Sequence, residues 1–177
     1  MRVIAGEFRS RRLKSIPGRA TRPTPDRLRE ALFNILTPRI AGAVFLDAYA
    51  GTGAVGIEAL SRGAARCIFL ESARRAVDAI RENLHLLGIE DRASVVAGKA
   101  VAALARQRAD IVFLDPPYDL ESEYAAALGE IGLRSVAPGV GMVVAQHSAR
   151  FDPGDAHGAL RRTRVLQQGD NALSFYS

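Results

Sequence analysis

The sequence contains one cysteine, no tryptophan and three histidines among 177 residues. A lone Cys67 cannot form an internal disulfide, which makes the cytosol the expected compartment. Three scattered histidines and one cysteine have no metal-ligand spacing, so we expect no metal site. No apolar run approaches the length of a bilayer span, and no apolar leader follows the first residue, so we expect no membrane partner.

The composition is that of an ordinary globular protein, with 48% hydrophobic and 24% charged residues. A chain of this length can bury a sizeable core in one domain. We divide it into a small N-terminal extension, residues 1–39, and a main domain, residues 40–177, and we expect a monomer. We find no internal repeat and no low-complexity tract.

Basic residues are concentrated near the N-terminus. Residues 1–39 contain ten arginine and lysine residues and three acidic ones, a charge of +7, so the remainder carries −2 of the total of +5. A basic segment beside a nearly neutral domain is typical of a surface that binds a polyanion, and it favours nucleic acid. The candidate phosphate contacts are Arg9, Arg11, Arg12, Lys14, Arg22 and Arg27.

Alternating strand and helix patterns predict an α/β fold with a mainly parallel sheet. The extension begins with a small hairpin or arm over residues 2–14. An amphipathic helix follows, with Thr24 as N-cap, Pro25 as its first residue and Pro38 at its end. Strands are predicted at 43–47, 66–70, 93–97, 109–114 and 140–145, helices at 54–60, 76–87, 100–107 and 121–131, and a closing antiparallel hairpin at 164–168 and 172–176.

A glycine-bearing turn follows the first core strand. Residues 51–56 fit the pattern G-x-G-x-x-G between a strand and a helix, which permits close approach of the backbone to a ligand. Glu71 lies twenty residues after Gly51, at the end of the next strand, where a carboxylate can accept both ribose hydroxyl hydrogens. The pair predicts a nucleoside-containing cofactor, either a dinucleotide or S-adenosylmethionine.

The stretch Asp115-Pro116-Pro117-Tyr118 follows a buried apolar strand. Two prolines end the strand and fix an acid and an aromatic ring at the edge where open α/β sheets bind ligands. Asp115 and the Pro116 carbonyl would accept the two hydrogens of an exocyclic amine and aim its lone pair outward, while Tyr118 stacks on the base. This arrangement favours methylation of an amine over hydride transfer.

These motifs resemble the class I S-adenosylmethionine-dependent amino-methyltransferases. More narrowly, RPTPDRLREALFN at 22–34, LDAYAGTGAVGIEALSRGA at 46–64 and GDNALSFY at 169–176 resemble the RsmD family over essentially the whole chain. The resemblance implies a Rossmann-like, seven-stranded sheet with an antiparallel last strand and an N-terminal extension that contacts RNA. It also implies methylation of the N2 amine of one guanine in bacterial small-subunit (16S) ribosomal RNA, with the RNA or the subunit as partner.

By the same resemblance, the cofactor residues are those of the first turn and two later positions: Asp47, Tyr49, Ala50, Gly51, Thr52, Gly53, Glu71 and Ala100. Residues 115–118 would hold the target base. Two positions depart from the family. Lys99 stands where Asp or Asn usually lies near the adenine, and lysine cannot accept a hydrogen bond from the adenine amine. Gln146-His147 stands where an acidic residue is expected; neither is assigned a role, and His147 is expected on the surface.

Three other functions fit parts of the pattern. An adenine-N6 DNA methyltransferase would use the same Asp-Pro-Pro-Tyr chemistry, although a restriction-type enzyme needs a target-recognition domain for which this chain has no room. A dinucleotide-dependent oxidoreductase would rest on the glycine turn and Glu71 alone. A non-catalytic RNA-binding module would keep the fold without the reaction.

Overall fold

Helices and strands alternate in the computed structural model, which describes residues 1–16, 24–117, 120–134 and 141–177. The helices are α1 Asp26–Ile40, α2 Ala54–Ser61, α3 Arg74–Leu87, α4 Ala100–Leu104 and α5 Glu121–Arg134. The strands are β1 Val44–Ala48, β2 Arg66–Glu71, β3 Ala93–Ala97, β4 Ile111–Leu114, β5 Met142–Ser148, β6 Ala156–His157, β7 Leu160–Gln168 and β8 Asn171–Tyr176. No helix among these residues is long and apolar enough to cross a bilayer.

The strands form one sheet in the order β3-β2-β1-β4-β5-β8-β7-β6. The first five are parallel, and β8 inserts antiparallel between β5 and β7, which confirms the predicted mainly parallel sheet with an antiparallel last strand. The described chain has eight strands rather than the predicted seven. The additional strand, β6, has two residues and lies within 146–158. We predicted no strand there because glycine and proline usually interrupt strands, but β6 pairs with β7.

The first helix differs from its prediction at both ends. It begins at Asp26 after Pro25, and no side chain, including that of Thr24, caps it. Pro38 lies inside the last turn rather than ending the helix, which continues to the buried Ile40. The free energy gained by burial of Ile40 offsets the loss of the backbone hydrogen bond that Pro38 cannot donate.

Alternating side chains divide the core between the two faces of the sheet. Phe45, Phe113 and Val144 belong to one cluster, which also includes buried residues of α1, α2 and α3. Their neighbours Leu46 and Leu114 belong to a second cluster, with α4 and α5. We call the side covered by α1, α2 and α3 the first face. A residue two positions after a core residue of the first face, such as Asp115 after Phe113 or Gln146 after Val144, has its side chain on the same face.

The first part of the N-terminal extension, residues 1–16, packs against α2. Its backbone forms one isolated antiparallel bridge between Arg2 and Arg12 instead of a regular hairpin ladder. Val3, Phe8 and Leu13 are buried in the same cluster as α1 and α2. The extension is therefore joined to the main domain by a shared core.

Candidate functional site

Four polar side chains lie in a row along the carboxyl edge of the first face. Glu71 ends β2, and Asp47 lies in β1 opposite Phe69 of β2. Asp115 follows β4, with its N–H 3.4 Å from the Ala48 carbonyl oxygen, and Gln146 follows Ala145 in β5. Since Leu114 pairs with Ala145, Asp115 and Gln146 are neighbours across the sheet. Three of the sequence-predicted acids and one residue without an assigned role are thus brought together.

The turn between β1 and α2 is held in a left-handed conformation at alternate residues. Tyr49, Gly51 and Gly53 have φ angles of 65°, 56° and 79°. Such a conformation costs a non-glycine residue free energy, and for Tyr49 it is accompanied by a 2.6 Å hydrogen bond from its hydroxyl to Glu123. Desolvation raises the pKa of the Tyr49 hydroxyl, and the hydrogen bond to Glu123 adds to the shift. The turn is therefore anchored to α5 as well as to the sheet.

Gly56 permits α2 to lie directly on β2. A Cβ atom at this position would come within 2.3 Å of the Phe69 ring and 2.6 Å of the Cys67 sulfur. Its N–H donates to the Asp47 carboxylate at 2.8 Å. Any larger residue would push the helix and the turn away from the strand edge.

Glu71 is the hydrogen-bond acceptor that ties the turn to the next βα connection. One carboxylate oxygen accepts the Gly51 N–H at 2.8 Å, and the other accepts the N–H groups of Ser72 and Ala73, each at 2.8 Å. A carboxylate offers about four lone-pair sites, so one position remains for a ligand hydroxyl. Glu71 therefore supports the turn directly, a contribution that its sequence spacing did not reveal.

Asp47 is almost completely buried below the turn, with 2% of its surface exposed. Burial holds its pKa well above the ordinary value; the Gly56 hydrogen bond opposes this shift, and the charges of Asp115 and Glu71 add to it. Crowded carboxylates repel one another, and a positive charge placed among them would relieve the repulsion. The row is thus suited to a cationic ligand.

Asp115 stands at the centre of this edge. Asp115 is half-buried, and its desolvation raises its pKa to about 7; an interaction with the Thr24 side chain opposes that shift. Thr24 directly precedes Pro25 and α1, so the start of α1 borders Asp115. At this pKa the carboxyl group can change its protonation state near neutral pH.

Pro116 is buried and Pro117 is exposed. The carbonyl oxygen of Pro116 lies 3.3 Å from the Tyr124 hydroxyl, which also contacts the Gln146 carbonyl oxygen at 2.9 Å. Tyr124 of α5 therefore joins the ends of β4 and β5. Tyr118, the predicted stacking residue, lies outside the described residues.

The remaining predicted cofactor residues lie around the same edge. Ala50 is buried, and Thr52 is half-buried. Ala100 is the buried first residue of α4, and Lys99 precedes it with an exposed side chain. Ala100 thus lies beyond the end of β3, the strand next to β2 and Glu71, and its side chain belongs to the second cluster.

Asn83 is a buried polar residue that sequence reasoning missed. Its side-chain amide donates to the Thr52 carbonyl at 3.1 Å and to the Lys14 carbonyl at 3.2 Å, and its oxygen accepts the Lys14 N–H at 2.7 Å. Asn83 therefore links α3, the glycine turn and the extension. The available signal was a polar residue three positions after Ile80, on the apolar stripe of the helix.

The predicted phosphate contacts fall into two groups. Arg9, Arg12 and Arg27 are exposed. Arg11 donates to the Leu86 carbonyl at 3.0 Å, and Lys14 forms an ion pair with Glu82. Arg22 lies outside the described residues.

The expectation of a surface position for His147 is wrong. The side chain is 3% exposed, and its ring nitrogens contact the Ser148 carbonyl and the Ser174 hydroxyl at 2.8 and 2.9 Å. Burial lowers the pKa of His147. The ring packs against Tyr124 and Phe151, with ring centroids 6.4 and 6.2 Å away, and the sequence pattern did not indicate this burial. No group of potential metal ligands occurs among the described residues.

Comparisons with known proteins agree with this architecture. A model of the family described as conserved hypothetical protein 95 matches residues 1–177. A putative rRNA methyltransferase, YlbH of Bacillus subtilis, is 36% identical over 99% of this chain and 98% of its own length. Ribosomal RNA small subunit methyltransferase D of Escherichia coli is 42% identical over 67% of this chain, although the match spans only 60% of that relative. The solved structure of the putative methyltransferase yhhF from Escherichia coli has a TM-score of 0.81 and 32% identity, and the match covers 99% of this chain and 96% of that one.

Proposed function

Because the chain belongs to the RsmD family, the family described as conserved hypothetical protein 95, we propose that it transfers a methyl group from S-adenosylmethionine to RNA. The acceptor in this proposal is the exocyclic N2 amine of a guanine in small-subunit (16S) ribosomal RNA. The observation that carries the proposal is the placement of Glu71, Asp47 and Asp115 in one row beside the glycine turn. The names of the relatives from Bacillus subtilis and Escherichia coli support an RNA substrate.

The cofactor side of the site fits S-adenosylmethionine in space and in charge. A Cβ atom at Gly51 would meet nothing within 4 Å, so the backbone of the turn faces open space. Glu71 keeps capacity to accept a ribose hydroxyl hydrogen, and the acidic row favours a sulfonium cation. The bound cofactor would supply a methyl group from a positively charged sulfur, which keeps the bonding electron pair and becomes a neutral thioether.

The target side is formed by Asp115 and Pro116. Asp115 and the Pro116 carbonyl accept the two amine hydrogens and orient the nitrogen lone pair toward the methyl group. After the N–C bond forms, the nitrogen carries an extra proton, which leaves to Asp115 or to water. Tyr118 is proposed to stack on the base, and Arg9, Arg12 and Arg27 to contact phosphates. The strand edge holds Asp115 in place, so little reorganisation accompanies the reaction.

The test is transfer of tritiated methyl groups to ribosomal RNA and to small subunits from a strain lacking this protein, followed by mapping of the modified base. The two forms of RNA, assayed separately, identify the substrate. Asp115→Ala should lower single-turnover transfer by roughly 10²–10⁴-fold, the usual span for a positioned acid–base group. Asp115→Asn, which keeps an acceptor oxygen, should lose less, and Asp78→Ala on the exposed surface of α3 is the matched control.

Methyl transfer to DNA, binding of NAD and binding of RNA, measured beside this assay, separate the alternative functions. Transfer of the label to adenine N6 in DNA would indicate an adenine-N6 DNA methyltransferase. Binding of NAD without binding of S-adenosylmethionine would indicate an oxidoreductase. RNA binding without methyl transfer would show a non-catalytic module. Wild-type transfer by Asp115→Ala would overturn the assigned role of this carboxyl group.

A further inference from the structure

Gln146 carries a buried polar atom that lacks a hydrogen-bond partner. The residue is 2% exposed, and its side-chain oxygen Oε1 contacts no donor in the part of the chain that the structure describes. Buried polar atoms in folded proteins nearly always have a partner, so an exception requires a physical reason. One such reason is that the missing donor belongs to a ligand.

The position of Gln146 places this acceptor beside the proposed target amine. Asp115 and Gln146 follow the paired residues Leu114 and Ala145 of neighbouring parallel strands, which lie about 4.8 Å apart. Both side chains lie on the first face. On its other side Gln146 pairs with Leu173 of β8, whose side chain offers no donor. The Tyr124 hydroxyl contacts the Gln146 backbone carbonyl and holds the strand end, but it leaves the side-chain oxygen unpartnered.

We propose that Gln146 selects guanine over adenine by accepting the N1–H of the target base, an inference that rests on the proposed function. The N1–H and the N2 amine of guanine are adjacent donors on one edge of the base. If Asp115 and the Pro116 carbonyl take the amine hydrogens, the next acceptor required along that edge is one for N1–H. Adenine presents a lone pair at N1, which would repel the Gln146 oxygen.

The enclosed position of this oxygen has a consequence for base entry. In the free protein the acceptor is covered, so the base reaches it only when this edge opens. Thr24, whose side chain interacts with Asp115, lies at the same edge. Guanine binding is therefore expected to displace groups at this boundary, and the new N1–H bond removes the penalty of an unpartnered acceptor.

The test compares guanine with 2-aminopurine at the mapped target position of a ribosomal RNA fragment or reconstituted subunit. 2-Aminopurine keeps the reacting amine but has a lone pair at N1. Wild-type protein should methylate guanine in preference by roughly 10- to 100-fold, the discrimination expected for such contacts. Gln146→Met, of similar volume and without an acceptor amide, should reduce that preference by about tenfold while cofactor affinity is unchanged. Gln168→Met, an exposed glutamine on β7, is the control.

A second variant tests which end of the Gln146 amide faces the base, because a glutamine rotated by 180° would donate from its NH₂ group to N1 of 2-aminopurine. Gln146→Glu, assayed at pH 8.5, presents only acceptor oxygens when ionised and should keep or increase the preference for guanine. An unchanged preference in Gln146→Met, or a lost preference in Gln146→Glu with normal thermal stability, would overturn the inference. If wild-type protein methylates guanine in no RNA form, the proposed function fails and this inference fails with it.

Discussion

The backbone N–H of Gly51 donates to the carboxylate of Glu71 over 2.8 Å, which joins the glycine turn to the end of the neighbouring strand. Glu71→Ala should remove this support and the proposed ribose contact together. Loss of hydrogen bonds to a charged group costs roughly 1.5–3 kcal/mol, which corresponds to an affinity for S-adenosylmethionine weaker by about 10- to 100-fold. Isothermal calorimetry measures the change, with Asp78→Ala as the control.

A cofactor analogue separates the two contributions of Glu71. An analogue without the ribose hydroxyls should bind the wild-type protein more weakly than S-adenosylmethionine does. In Glu71→Ala the same omission should cost little, because the acceptor is already absent. An equal penalty in both proteins would remove Glu71 from the ribose contact and leave it only as a support for the turn.

Asp115 should make stability depend on pH. Burial raises the pKa of Asp115 to about 7, whereas an aspartate in an unfolded chain titrates near 3.9. The unfolded chain loses this proton first, so the contribution of Asp115 to the free energy of unfolding is complete below about pH 4 and is lost as the pH rises toward 7. The slope from this residue is at most about 1.4 kcal/mol per pH unit.

Urea unfolding of the wild-type protein and Asp115→Asn at several pH values between 4 and 8 measures this contribution. Burial also raises the pKa of Asp47, which acts in the same direction and persists in the variant. The Asp115 charge adds to the Asp47 shift, so the difference between the two proteins reports Asp115 together with its coupling to Asp47. Parallel stability curves would contradict the assigned shift.

The rate of methyl transfer should rise through about pH 7, as Asp115 ionises, and its dependence on pH should be flatter in Asp115→Asn.

The exposed basic residues should determine the salt dependence of RNA binding. Arg9 and Arg12 extend into solvent, whereas the side chains of Arg11 and Lys14 already contact Leu86 and Glu82. Removal of one phosphate contact should lower the slope of log affinity against log salt by roughly 0.7–0.9. Arg9→Ala and Arg12→Ala should therefore flatten the slope more than Arg11→Ala does.

Filter binding to a ribosomal RNA fragment over a range of salt concentrations measures these slopes. Arg66→Ala is the matched control, because Arg66 is exposed at the opposite, amino end of β2. Affinity for S-adenosylmethionine should not change in any of these variants. Equal slopes in Arg9→Ala, Arg12→Ala and wild-type protein would exclude Arg9 and Arg12 as phosphate contacts.

The sheet was predictable because its determinants are local. Apolar runs such as 111–114, followed by prolines or glycines, specify buried parallel strands, and the predicted strand at 93–97 is the observed one. The end of α1 was not predictable in this way, because burial of Ile40 against other elements decides whether the helix continues past Pro38. The short β6 depends on pairing with β7 rather than on its own composition.

The site was predictable only in part. Motif spacing brought Glu71, Asp47 and Asp115 to one edge, since the carboxyl ends of parallel strands meet there. Gln146 and Asn83 received no role from the sequence, because their significance lies in burial and in partners distant along the chain. Arg29 illustrates the same limit: nothing in the sequence marks this charged residue of α1 as buried, yet its side chain is fully buried beside Glu58.

Glu58 should be essential for holding the extension on the main domain. Its buried carboxylate accepts the N–H groups of Ile4 and Ala5 at 2.8 and 3.0 Å and pairs with Arg62 at 2.7 Å. Arg29, also fully buried, lies 4.0 Å away and donates to the Arg2 carbonyl at 2.6 Å. Glu58→Ala should lower the free energy of unfolding by roughly 3–5 kcal/mol, because it removes the buried acceptor of two N–H groups and leaves the buried Arg29 with Asp26, 3.0 Å away, as its remaining acidic partner.

Urea unfolding measures this loss, and hydrogen exchange at residues 3–14 reports whether the extension detaches. Glu30→Ala, an exposed acid on α1, is the control and should change stability by no more than about 0.5 kcal/mol. The double variant Glu58→Leu with Arg29→Met removes both charges at similar volume and should recover much of the stability, because no buried charge is left uncompensated. It should not restore protection of Ile4 and Ala5, whose N–H groups still lack an acceptor. Full protection of these two groups in Glu58→Ala would show that other contacts hold the extension in place.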